Sequence, residues 1–157
     1  YFFYVLRIKF DELGFKIQDQ RDELGLNANA AMFRTAIERA RNAEGVPIGQ
    51  WQTVPVPSQS VFQFKDGYGL GCPWSCPFYT ERIEPFYTPV KYRNEDYPET
   101  LKLIDEYLMM SRITPPNDLD LMGLYVEAFK KVFRNIDRIK AIAKTIELPW
   151  PFEPIQR

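Results

Sequence analysis

The chain has 157 residues, a length that suits one domain with a real core, and its charge is nearly balanced at 20 basic against 21 acidic residues. Without a field of one sign, nothing draws nucleic acid or an anionic membrane to it, and no apolar run approaches the roughly 18 residues that span a bilayer. The absence of His removes the usual proton shuttle, the commonest metal ligand and the base of ordinary catalytic triads.

The chain opens YFFYVLRIKF, in which Phe2, Tyr4, Leu6, Ile8 and Phe10 alternate with Arg7 and Lys9 as in a strand with one buried face. With no initiator Met and no basic leader, this start reads as a chain cut from something longer. Residues 11 to 26 read as a charged connection in which Phe15 and Ile17 form a short second strand. From Asn29 the period becomes helical: Phe33, Ile37 and Ala40 share a stripe with Met32, Ala36 and Ala43 beside it, while Arg34, Glu38, Arg39 and Arg41 mostly face water. Asn27 or Asn29 caps the start, and Gly45 ends the helix where a left-handed residue is needed.

VPIG, residues 46–49, then reads as a short edge strand, because Pro47 cannot donate to a ladder. Residues 49 to 96 hold most of the Pro and Gly and no sustained period, so they form a functional loop region or hide short strands. A helix opens at Pro98 and buries Leu101, Ile104 and Leu108, flanked by Leu103 and Tyr107. SRITPP must be extended before its prolines. A long helix capped by Asn117 or Asp118 then carries Met122, Tyr125, Val126, Phe129, Val132, Phe133 and Ile136 on one broad stripe. That stripe is better explained as a core face than as a membrane-surface helix. The expected class is α+β, a small antiparallel or mixed sheet with helices on one face. Residues 1–145 form the domain, and residues 146–157 a proline-rich extended tail that includes Trp150.

Short motifs add little chemistry. CPWSC offers only Cys72 and Cys76, too few for a cluster; structural thiols, a loop disulfide or redox pair, and a metal site all remain open for them. FKDGYGLG has the glycines of a phosphate loop, but Lys65 precedes them and no Gly-Lys-Ser/Thr closes the run. With few cysteines and no secretory leader, a cytoplasmic origin is the default.

The succession MFRTAIERARNAEGVPIGQWQTVPVPSQSVFQ, YPETLKLIDEYLMM and ITPPNDLDLMGLYVEAFKKV resembles the C-terminal part of the DegT/DnrJ/EryC1/StrS family. These are pyridoxal-phosphate-dependent aminotransferases of the aspartate aminotransferase fold that act mainly on sugars and cyclitols. The likeness covers about residues 1 to 137 and lies in the order of its parts. Gly45 and Val46 match the helix-ending pair, Trp51 the loop aromatic, Pro55 or Pro57 the loop proline, and Phe62 the apolar residue after it. Pro98 matches the opening of the penultimate helix, and Pro115, Asp118 and Leu119 the start of the last. The family's loop His is replaced by Pro57 or Ser58.

The resemblance implies the small C-terminal domain of a fold-type-I enzyme, with Gln50, Trp51, Gln52, Ser58 and Gln59 facing a hydroxylated ring. It further implies pyridoxal phosphate in the parent enzyme, a homodimer, and no nucleic acid, membrane or metal partner. The cofactor's Lys, its pyridine-pairing Asp and its phosphate donors belong to the family's preceding large domain. Nothing here matches them, and Lys65 stands on the wrong side of the loop. No catalytic or cofactor-binding residue is therefore assigned, and the chain alone is expected not to transaminate. The alternative is a standalone non-catalytic module that binds carbohydrate or protein through the Trp51 loop. Pyridoxal phosphate added to this chain should give no stoichiometric borohydride-trappable adduct; mass spectrometry showing one per chain overturns the expectation.

Overall fold

The computed structural model of the chain describes residues 3–18, 20–22, 25–65, 72, 74 and 91–148. Three strands form one antiparallel sheet in the order β1-β3-β2, with β1 at Tyr4–Arg7, β2 at Ile48–Gly49 and β3 at Tyr107–Met110. In register, Leu6 lies opposite Leu108, Arg7 opposite Tyr107, and Ile48 opposite Met110. The α-helices are α1 (Ala28–Ala43), α2 (Ser60–Phe64), α3 (Pro98–Glu106), α4 (Leu119–Arg134) and α5 (Ile136–Ala143), with short 3-10 turns at Val56–Ser58 and Asn94–Asp96. The class is α+β, as the patterning predicts.

Opposed residues on neighbouring strands share a face, so Leu6, Leu108 and Ile48 project together. They meet Phe33, Ala36 and Ile37 of α1, Val132 of α4, and Ile139 and Ala143 of α5 in the main core. Ile8 and Phe10, just beyond β1, are buried there too, whereas Tyr4 at the other end of the expected stripe is 54% exposed. Phe2 lies outside the described residues. Ile146, expected in the extended tail, is a core residue, and Leu148 packs against the core; residues 149–157 lie outside the described residues.

Phe15 and Ile17 form no strand. A turn over residues 10–14 returns the chain, the Phe15 amide bonds the Phe10 carbonyl at 2.9 Å, and the Phe15 ring stacks on Phe33 at 4.1 Å. Ring burial, not ladder pairing, holds this segment, and each such aromatic contributes on the order of 2 kcal/mol. The start of α1 agrees with the expected cap: Asn27 Oδ1 accepts from the Ala30 amide at 3.1 Å. Its end agrees as well, with Gly45 at φ +83° just past the cap residue Glu44.

Two arginines of α1 depart from the sequence expectation. Arg34 is 5% exposed and Arg41 fully buried, because α1 packs against the sheet, α3, α4 and α5 rather than against one layer. Arg34 Nη1 donates to the carbonyls of Ile104 at 2.5 Å and Asp105 at 3.1 Å. Those are the acceptors that the amides of Leu108 and Met109 would need to extend α3. The helix therefore stops at Glu106, and Tyr107–Met110, expected to continue it, becomes the central strand. Leu103, expected to flank the buried face, is 41% exposed.

The long final helix is also two. Asn135 Nδ2 donates to the Lys131 carbonyl at 2.8 Å, a side-chain bond that competes with the helix ladder, and α5 starts anew at Ile136. Asp118 caps α4 by accepting from the Leu121 amide at 3.0 Å. Tyr125, Ala128 and Val132 are buried, while Val126 and Phe133 of the expected stripe are exposed. SRITPP is not uniformly extended: Arg112 takes φ +58°, and Asn117 Nδ2 bonds its carbonyl at 2.8 Å.

Replacing Arg34 by Leu should cost roughly 2–4 kcal/mol in urea denaturation, because buried carbonyls lose their donor and Asp105 a neighbouring cation. Arg34→Lys should recover part of that loss. No loss with Leu would mean that α3 ends where it does without this cap.

Candidate functional site

Residues 50 to 59 leave β2 and cross to α2, and each end of this loop is tied to a buried part of the fold. Gln50 Nε2 donates to the Ile104 carbonyl at 3.3 Å, sharing that oxygen with Arg34. Tyr107, at the start of β3, brackets the next turn: its hydroxyl accepts from the Gln52 amide and donates to the Gln52 carbonyl at 2.7 Å. At the far end Ser58, only 5% exposed, donates through Oγ to Asn94 Oδ1 at 2.5 Å. From α2, Gln63 Nε2 donates to the carbonyls of Pro57 at 2.5 Å and Tyr92 at 3.0 Å, closing the loop against residues 91–97.

Between these ties Trp51 is 64% exposed, its ring 6.0 Å from that of Phe3. An open cavity of about 360 Å³ is lined by Gln52, Pro57, Phe62, Tyr92, Tyr97 and Thr100. Its aromatic wall is braced from behind. Phe62 meets Tyr92 at 5.2 Å and Trp74 edge-on at 6.0 Å, and Trp74 Nε1 donates to the Tyr92 hydroxyl at 3.0 Å. Rings with polar tips around an open cleft suit a ligand with an apolar face and hydroxyl edges.

Of the five residues predicted for substrate, the structure brings Gln52 to the cavity and leaves Trp51 outside its lining, largely exposed with its ring against Phe3. The Gln50 amide group and the Ser58 hydroxyl are spent on Ile104 and Asn94, so they position the loop. Gln59 is exposed and lends its backbone carbonyl to the Phe62 and Gln63 amides. Sequence reasoning missed Tyr92, Tyr97 and Thr100. The aromatic density of VKYRNEDYP was the available signal, but nothing in that run indicates that it folds back on the Trp51 loop.

Beneath the loop runs an ion-paired anchor. Arg21 Nη2 meets Asp105 Oδ2 at 2.6 Å, and Arg21 Nη1 donates to the Gly25 carbonyl at 2.9 Å. Burial pushes the Asp105 carboxyl above its ordinary range, with the Arg21 hydrogen bond opposing the shift. Burial likewise lowers Arg34, and Asp105 opposes that. Gly25 sits at φ +80°, where an added Cβ would lie 2.6 Å from Leu101 Cδ2, so the anchor accepts only glycine there.

Among the described residues, neither of the two cavities brings together a free lysine and the phosphate donors that pyridoxal phosphate would need. Besides the Trp51 cleft, a cavity of about 320 Å³ opens beside Arg41, and its one lysine, Lys9, has Nζ on Glu12 Oε1 at 2.8 Å. Lys65 follows α2 at φ +54° and lines neither cavity. No step through the cofactor is derived. Among the described residues, no three His, Cys, Asp or Glu side chains converge to hold a metal, and no helix is long and apolar enough to cross a membrane. Cys72 is described, whereas Cys76 and the glycines of FKDGYGLG lie outside the described residues. No protein-family model matches the chain, and no curated protein matches it.

Removing the hydroxyl that brackets Gln52 tests the loop's mounting. With Tyr107→Phe, hydrogen exchange at the Gln52 amide should speed up roughly tenfold to a hundredfold, while the α1 amides keep their protection. Unchanged exchange at Gln52 would mean that other contacts hold the loop.

Proposed function

We propose that this chain is the small, substrate-side domain of a pyridoxal-phosphate-dependent sugar or cyclitol aminotransferase of the DegT/DnrJ/EryC1/StrS kind. One observation carries the reading. A loop tied down at both ends presents an exposed Trp51 beside an open, aromatic-lined cleft that includes Gln52. In this reading Trp51 stacks on the ring face of the substrate and Gln52 contacts its hydroxyls. Gln50, Ser58 and Gln59 keep the loop in shape.

The order of elements supports the same reading: a helix closed by Gly45, a short strand, the aromatic loop, a Pro-opened helix and the Asp118-capped helix α4 follow the succession on which the resemblance rests. The exposed Tyr4 and Val5 supply apolar surface for a large domain that holds the cofactor. The parent enzyme acts as a homodimer. The second reading is a standalone non-catalytic module that binds carbohydrate or protein, and it rests on the same exposed Trp51.

The coding sequence upstream of Tyr1 separates the two. A large domain with a cofactor-binding lysine supports the enzyme reading; a start codon directly before Tyr1 overturns it. In the full-length enzyme, Trp51→Ala should raise KM for the sugar roughly tenfold and leave kcat within about twofold, as expected for the loss of one stacking face. The visible band of the bound cofactor should not change. An unaltered KM would remove Trp51 from the substrate site.

A further inference from the structure

Arg41 presents a problem that the Trp51 cleft does not touch. Its side chain is fully buried, and Nε, Nη1 and Nη2 have no hydrogen-bond partner. Its only compensation is from ring faces, with Cζ 3.2 Å from the centroid of Phe129 and 4.5 Å from that of Phe133. A guanidinium carries five N–H donors in a fixed planar fork, and leaving all of them unmade in a low-dielectric setting is costly. Burial lowers its pKa to about 9, so the side chain still carries its charge at neutral pH.

The cavity of about 320 Å³ beside this side chain has walls from Leu6, Ile8, Ile37, Ile48 and Leu108. Arg7, Lys9 and Glu12 stand at its exposed end. The other two cations there already have partners: Arg7 Nε donates to Glu106 Oε2 at 2.9 Å, and Lys9 holds Glu12 at 2.8 Å. One unsatisfied positive charge therefore faces an apolar chamber whose rim also carries a carboxylate.

We propose that this chamber binds a monocarboxylate with an apolar body, its carboxylate on the fork of Arg41 and its hydrocarbon among Leu6, Ile8, Ile37, Ile48 and Leu108. A single charge matches the single free cation among the described lining residues, whereas a phosphate dianion would bring a second charge for which no free partner remains among them, close to Glu12. Phe129 covers one face of the guanidinium, which leaves the in-plane N–H edge for a two-point contact with a planar carboxylate. Phe133, 39% exposed, lies with its ring centroid 4.5 Å from Arg41 Cζ, and binding requires this ring to turn aside and open that edge. The proposal is independent of the aminotransferase reading, since it uses neither the Trp51 cleft nor a second domain.

Titration calorimetry of this chain with octanoate, and in parallel with octan-1-ol, tests it without any substitution. Octanoate should bind one per chain and at least about tenfold more tightly than the alcohol, the discrimination expected of a charge-assisted hydrogen-bonded pair. Arg41→Met, which keeps an unbranched apolar stem and removes the guanidinium, should weaken octanoate roughly tenfold to a hundredfold and not weaken octan-1-ol; circular dichroism checks that it folds. No octanoate binding, equal binding of acid and alcohol, or undiminished octanoate binding by folded Arg41→Met overturns the proposal.

Discussion

Arg34 reaches from the middle of α1 to the carbonyls of Ile104 and Asp105, and the route of the chain beyond residue 106 depends on that contact. A helix continuing past Glu106 would need those two oxygens for its own amides. With the guanidinium on them, the next four residues leave the helix and become the strand that both β1 and β2 pair with. The same carbonyl of Ile104 also receives Gln50, so one helix end sets the sheet's central strand and the base of the Trp51 loop. Asp105, itself held by Arg21, sets an opposite charge near this cation, and a cation buried with that charge and two carbonyl acceptors is tolerable where an isolated one is not.

Arg41, two turns further along α1, shows the opposite solution. It is as buried as Arg34 but has aromatic faces in place of oxygens. Cation–π contact replaces only part of a lost hydration shell, because it engages the face of the guanidinium and leaves the N–H edge unserved. The two residues have the same chemistry on the same helix. The backbone oxygens of a terminated helix lie near Arg34, whereas the rings of α4 lie near Arg41.

The Trp51 loop gains its definition from bonds that originate elsewhere. Tyr107 is the first residue of β3, so its hydroxyl reaches Gln52 only because α3 ends at Glu106. Asn94 and Tyr92, which hold and wall the other end, are more than thirty positions away from Ser58 and close to thirty from Gln63. That long-range dependence explains how much of the site could be read in advance. The composition of GQWQTVPVPSQS singled out the loop that the structure places beside the open cleft, with Gln52 in its lining. It could not separate Gln52, which lines the cleft, from Gln50 and Ser58, whose polar groups are taken up by distant backbone and side-chain partners.

Local periodicity and cap chemistry determined β1, the limits of α1 at Asn27 and Gly45, the edge strand after Pro47, the Pro98 start of α3 and the Asp118 start of α4. Each depends on neighbours within a few residues: alternation, a side-chain oxygen on an N-terminal amide, a left-handed glycine, a missing amide. Tertiary structure alone decided that Tyr107–Met110 is a strand, that Phe15 stacks on Phe33 instead of joining the sheet, and that Arg34 and Arg41 lie inside. The apolar spacing of Leu101, Ile104 and Leu108 suits a helix, and a basic residue beside an alanine-rich stripe suits water. Which alternative prevails depends on an acceptor or a ring supplied from distant sequence, and no local pattern encodes it.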